Sequence, residues 1–153
     1  MEFLVQLIFI LFFPSVQAGD IAGLNFFKQN PQCHFEKNYL YLSKEKAAEL
    51  GLSRMIRRYD ITCKSAKYVG YVLDDKIRTH FQNLFVVLAG KEIIDVEVVQ
   101  FSEPQQYSAS NKWVEYFFVK KKIDELAIDT ISGATLTTQS YKRIFKKILE
   151  LSQ

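Results

Sequence analysis

The residues best suited to chemistry stand together in Asp129-Thr130-Ile131-Ser132-Gly133-Ala134-Thr135-Leu136-Thr137-Thr138, directly before an amphipathic helix. Small residues and hydroxyls crowd the entry to that helix. Backbone N–H groups are unpaired at a helix entry, and the macrodipole is positive there. Gly133 lets the backbone approach a ligand closely. Such a place suits a phosphate. A turn followed by an N-cap from Thr137, Thr138 or Ser140 accounts for the same residues, and on physical grounds alone it is the stronger reading. Other chemistry is poorly supported. Cys33-His34 lacks the second Cys of the C-x-x-C-H haem attachment. The two histidines, His34 and His80, have no partner at metal-ligand spacing, and two cysteines cannot form a four-Cys zinc site. No nucleophilic triad or general acid is evident.

The elements that would position this segment read as one small α+β domain, an antiparallel sheet with flanking helices. Ser43 to Gly51 is a short helix, with Ser43 as N-cap and Gly51 past its end. Arg54 to Tyr59 has no clear structure, and Arg54, Arg57 and Arg58 read as a solvated face. Lys67 to Leu73 is strand-like around Gly70, and Asp74-Asp75 reads as a turn. Asn83 to Ala89 is an apolar strand, Gly90-Lys91-Glu92 a hairpin turn, and Ile93 to Val99 its partner, with Ile94, Val96 and Val98 alternating with Asp95 and Glu97. Glu103-Pro104 ends that strand and Ser108 to Asn111 is polar loop. Trp113, Tyr116 and Phe117 are spaced for one or two helical turns. From Tyr141, the positions Ile144, Phe145, Ile148, Leu149 and Leu151 form an apolar stripe. Lys142, Arg143, Lys146 and Lys147 fill the other face, toward the C-terminal half that the macrodipole makes favourable for cations.

Asp129-Thr130-Ile131-Ser132-Gly133-Ala134-Thr135 resembles the flavinylation motif D-x-x-[ST]-G-A-T of the FMN-binding domain family, which includes the FMN-bearing subunits of the Nqr and Rnf complexes. Every fixed position agrees. A chance match in a chain of this length is on the order of a few in ten thousand from average composition. The likeness extends weakly from about Gly70 to the C-terminus. It is nearest to small stand-alone members, with the hairpin of Phe85 to Val98, Glu103-Pro104 and Trp113 ahead of the motif. The resemblance implies that Thr135 carries FMN through a phosphoester. A separate flavin transferase would move FMN from FAD onto the hydroxyl with a metal ion, reading Asp129 and Ser132-Gly133-Ala134. Leu136 and Thr137 continue the cofactor-binding stretch. The isoalloxazine ring needs a flat apolar cover and a few donors. Trp113, Tyr107 and Tyr116 are candidate covers, although each serves equally as an ordinary core aromatic. Thr79-His80 could face the flavin, and Glu103 lies in a loop that the resemblance puts near it.

Composition and the N-terminus set the context. Among 153 residues, 48% are hydrophobic and 24% charged, with 13 Phe and 8 Tyr, which excludes disorder as the main state. A formal net charge of +3 is too small to argue nucleic-acid binding. Phe3 to Phe13 is apolar except for Gln6, Pro14-Ser15 breaks it, and Val16-Gln17-Ala18 fits a signal peptidase site, although no Lys or Arg precedes the run. The expected organisation is a signal peptide at 1–18, a helical or irregular segment at 19–66 packing on the domain, and the FMN-binding domain at 67–153. Export to the periplasm or the outer face of the cytoplasmic membrane permits a disulfide between Cys33 and Cys63, favoured over free thiols. The expected function is extracytoplasmic electron transfer between redox donor and acceptor proteins, a carrier rather than a stand-alone enzyme. The basic residues are candidate docking sites for an acidic partner. A flavin-free or non-covalent binding domain, or a flavin-dependent reductase of a small substrate, is the alternative.

Overall fold

A computed structural model describes residues 24–77, 79–102, 108–126 and 135–153, with the side chain of Thr135 outside the description. The apolar run at 3–13, the signal-peptide segment 1–18 and the loop residues Glu103, Pro104 and Tyr107 lie outside the described residues, as do Asp129, Ser132, Gly133 and Ala134. Among the described residues, no helix is long and apolar enough to cross a membrane.

The chain order is α1 (Asn25–Gln29), β1 (Cys33–Tyr41), α2 (Lys44–Leu50), β2 (Met55–Cys63), β3 (Ala66–Ile77), β4 (His80–Ala89), β5 (Glu92–Phe101), α3 (Asn111–Phe118) and α4 (Thr135–Leu151). The strands form one antiparallel sheet in the order β1-β2-β3-β4-β5, and α+β is the fold class. Helix punctuation is as expected from local chemistry. The Ser43 hydroxyl accepts from the Lys46 N–H, and Gly51 closes α2 with φ 60. The Ser110 hydroxyl accepts from the Trp113 N–H and starts α3, whose two turns carry Trp113, Tyr116 and Phe117. Gly90, at φ 59, supplies the left-handed residue of the β4–β5 hairpin.

Three local expectations are corrected. Residues 33–63 are not helical or irregular outside α2: they hold β1 and β2, two strands of the sheet itself. Their apolar alternation is diluted because β1 is an edge strand, and most of its residues are only partly buried or exposed. Within β2, Tyr59 is fully buried although its neighbours Arg57 and Arg58 are not. Asp74-Asp75 is not a turn; β3 continues through both to Ile77, and the chain reverses between Ile77 and His80. The carboxylate of Asp75 survives burial because two cations of α4 meet it. Strand β5 does not alternate evenly. A bulge pairs Leu88 with Ile93 and Val87 with Asp95, so Ile94 turns to the face opposite Ile93, Val96 and Val98.

The two faces of the sheet bury separate cores. Helices α3 and α4 cover one, where Val114, Phe118, Tyr141, Ile144, Phe145 and Ile148 meet Tyr71, Leu73, Leu84, Val86 and Leu88. Helix α1 covers part of the other, setting Phe26 and Phe27 against Tyr59, Val72, Phe85 and Val87. Gly70 is required on this second face: a Cβ there would stand 2.5 Å from Cε2 of Phe85. With five residues α1 is too short to be stable alone. Leu24 at its N-cap offers no side-chain bond, and the Glu97 carboxylate of β5 accepts from the Asn25 and Phe26 N–H groups instead, at 2.8 and 3.2 Å.

Cys33 and Cys63 stand opposite each other in the β1–β2 register and are disulfide-bonded. With a sequence separation of 30, the bridge constrains the unfolded chain by about 3–4 kcal/mol in the chain-entropy model. Replacing both cysteines by Ala should lower the unfolding free energy by about that amount, read as a lower urea midpoint at unchanged slope. A midpoint equal to that of the oxidised parent would show that the register closes this loop without help from the bond.

Candidate functional site at the N-terminal end of helix α4

Thr135 is the first residue of α4. The helix therefore begins earlier than the turn-and-cap reading requires. Thr137, Thr138 and Ser140 are not caps but lie inside the first two turns, at 5%, 1% and 0% exposure. They fall in phase with Tyr141, Ile144, Phe145 and Ile148, so the stripe facing the sheet is polar at its N-terminal end and apolar afterwards.

The sheet answers this change. Asp75 and Gln82 are Cα partners across β3 and β4, and both are buried. They share strand parity with Leu73, Leu84 and Val86, so they face α4. Asp75 accepts from Arg143 Nε at 2.9 Å and Nη2 at 2.6 Å, and Lys147 Nζ stands 3.4 Å away. Asp75, Gln82, Thr137, Thr138 and Ser140 are the buried polar residues among those described; Thr137, Thr138 and Ser140 lie in the first two turns of α4, and Asp75 meets the helix further on, at Arg143 and Lys147. Gln82 Nε2 and Ser140 Oγ have no hydrogen-bond partner, and neither has the Tyr141 hydroxyl, whose pKa burial pushes upward. Buried donors without partners are rare, and each calls for a reason.

The expected site residues distribute unevenly around this end. His80 lies two residues before Gln82 and shares its sheet face, exposed at the start of β4, with Thr79 exposed just before it. Leu136 is 40% exposed and turns away from the core. Trp113 packs edge-on to Tyr141 at 5.8 Å and to Phe118 at 5.3 Å, which brings α3 against the second turn of α4. Tyr116 is 73% exposed beside Lys121. Asp75 and Gln82 were not singled out by their types. The signal was phase: Gln82 stands in register with Leu84, Val86 and Leu88, where a polar residue would otherwise spoil a core.

The cations of α4 do not form one solvated face. Arg143 and Lys147 turn inward to Asp75, with the Lys147 side chain only 16% exposed. No basic residue lies in the last turn, so the helix dipole adds little to their placement. On β2, Arg58 pairs with Asp60 at 2.9 Å, and Asn38 holds the other oxygen of Asp60 at 2.7 Å.

A second polar region is separate. A cleft of about 380 Å³ between α1, β5 and α3 is lined by Asn25, Asp95, Glu97, Asn111 and Glu115, among others. Burial first, then the Glu97 and Glu115 carboxylates, push the pKa of Asp95 up to about 6. The folded state therefore binds a proton that the unfolded state releases between about pH 4 and 6, so ionised Asp95 opposes folding above that window. Asp95→Asn should raise stability at pH 7 by on the order of 1 kcal/mol once solvent screening is allowed for, with the gain vanishing below pH 4. Paired thermal melts at the two pH values test this, and an equal change at both would exclude titration of Asp95 as the cause.

These features define a class: a small single-sheet α+β domain whose core is polar and incompletely satisfied where its C-terminal helix begins. Residues 82–150, a little under half of the chain, match the family model of the FMN-binding domain. The matched span includes β4 from Gln82 onward, β5, α3, the motif ending at Thr135 and nearly all of α4. No curated protein and no solved structure matches the chain.

Proposed function

We propose that this protein is an exported electron carrier with FMN attached through a phosphoester to Thr135. FMN binding is supported by the match of residues 82–150; the covalent link rests on the agreement of Asp129, Ser132, Gly133, Ala134 and Thr135 with the flavinylation pattern. The observation that carries the reading is the position of Thr135 at the first residue of a 17-residue helix, beside the polar end of the core. The N–H groups of a helix's first turn and the positive end of its dipole favour a phosphate at such a position. The protein's residues fit the cofactor in a second way, since Gln82 and Ser140 offer buried donors without partners.

When bound, FMN supplies the redox chemistry. The chain's own residues do the holding. Asp75, Arg143 and Lys147 tie α4 to β3 two to three turns after Thr135. Trp113 and Tyr141 furnish aromatic surface near the second turn. A flavin transferase would form the bond, with the Thr135 Oγ displacing AMP from FAD and losing its proton. The segment 1–18 would direct export, and a covalent link would keep the flavin from diffusing away outside the cytoplasm. Membrane-associated donor and acceptor proteins would exchange electrons with it. The test is the intact mass of the protein co-expressed with an active flavin transferase. A gain of one FMN less one water that survives denaturation supports the reading. An unmodified mass would leave a non-covalent flavin domain.

A further inference from the structure

We propose that Gln82 and Ser140 are direct contacts of the flavin, donating hydrogen bonds from Gln82 Nε2 and Ser140 Oγ to carbonyl oxygens or ring nitrogens of the isoalloxazine. This rests on the FMN reading above and assigns the ring, as distinct from the phosphate, to particular side chains.

Three observations converge on these two residues. Both are buried, Gln82 at 1% and Ser140 at 0% exposure, and both carry a polar atom with no hydrogen-bond partner. A folded protein that leaves a donor dry and unpaired gives up stability for it, so a ligand acceptor is a physical reason for keeping one. Apart from the Tyr141 hydroxyl, the polar neighbours named here are engaged. Asp75, the register partner of Gln82, is held by Arg143 and Lys147, and Thr137, one turn before Ser140, also has an interaction partner. The unmet capacity at this interface falls on Gln82, Ser140 and the adjoining Tyr141 hydroxyl, and of these Gln82 and Ser140 are the aliphatic polar side chains.

Both positions lie at the interface between α4 and the sheet. Gln82 projects from β4 toward α4, with Leu84 and Val86 continuing its row into the apolar core. Ser140 lies on the inner stripe of α4, one turn ahead of Ile144. It stands about 7.5 Å along the helix axis from Thr135 at 1.5 Å per residue. A five-carbon ribityl chain spans a comparable length between phosphate and ring. The ring needs apolar contact beside its polar edge, and Ile77 and Tyr141 are buried at this end of the core. Donors at the pyrimidine edge stabilise the electron-rich reduced ring more than the oxidised one, so the same contacts would set the potential.

The experiment uses the full chain loaded by a flavin transferase, with Gln82→Met and Ser140→Ala made singly. Met keeps the length of the side chain, and Ala is compatible with a helix interior. Intact mass selects the FMN-bearing fraction of each protein. On that fraction, the midpoint potential, the visible flavin spectrum and the melting temperature are measured, and the melting temperature is repeated on protein made without transferase. The expected result is a more negative potential and an altered spectrum in both variants. Melting should fall in the loaded variants but hold or rise in the unloaded ones, where an unpaired donor has been removed. Loaded variants with the parent's potential and spectrum, and the same drop in melting with and without FMN, would overturn the proposal and assign the two donors to an internal water. A parent that never gains FMN would instead overturn the covalent reading, and with it this one; the mass alone tells these failures apart.

Discussion

Thr135→Ala is expected to abolish FMN loading completely, leaving the chain at its unmodified mass under conditions in which the parent gains one FMN less one water. The effect is all-or-none because a phosphoester needs a hydroxyl at that position and alanine has none. Thr135→Ser keeps a hydroxyl on the first residue of α4 and should load, at a rate set by how the transferase accepts a primary alcohol. The neighbouring hydroxyls provide an internal control. Thr137 and Thr138 are buried in the same helix, so Thr135→Ala should not redirect the modification to either. FMN found on Thr137 or Thr138 by peptide mapping would show that the transferase reads the segment rather than the residue.

Asp75→Ala is expected to have the largest effect on stability of any single side-chain change at the α4 interface, about 3 kcal/mol. Removing one member of a buried ion pair leaves the other charge dry, and measured costs run to about 3–5 kcal/mol. The lower figure applies because the Arg143 side chain is 45% exposed and can turn to water, whereas Lys147 at 16% has less freedom. Urea unfolding would show the loss as a shifted midpoint. Arg143→Ala should cost less than Asp75→Ala, since Lys147 would still meet the carboxylate. The reverse order would mean that the Arg143 bond to the Lys76 carbonyl, at 3.2 Å, matters more than the buried charge. Either substitution should loosen α4 where it meets β3, and Thr135 sits two turns from that lock.

The docking of an acidic partner narrows under the same geometry. Arg143 and Lys147 are engaged with Asp75, and Arg58 with Asp60. Of the α4 cations, Lys142 and Lys146 line a groove with Ile123, Asp124, Leu126, Phe145 and Leu149. Any electrostatic steering by this helix would come from there.

Much of the local structure was legible in the residues because its causes are local. A Ser43 hydroxyl reaches an N–H three residues on, Gly51 and Gly90 take left-handed φ at fixed points, and the helix stripe of Tyr141 to Leu151 repeats every three or four residues. The motif ending at Thr135 is likewise a run of adjacent residues, and its likeness to the FMN-binding domain could be seen before any fold was known. Tertiary structure decided what depends on distant partners. Asp75 reads as a turn former until Arg143, 68 residues away, neutralises it inside a strand. β1 and β2 look irregular because an edge strand needs few apolar residues, and only pairing with β3 makes them part of the sheet. The polar end of the core is assembled from β3, β4 and α4, whose hydroxyls and amide are ordinary in sequence. They become a site because burial removes water from them and leaves Gln82 and Ser140 with nothing to bond.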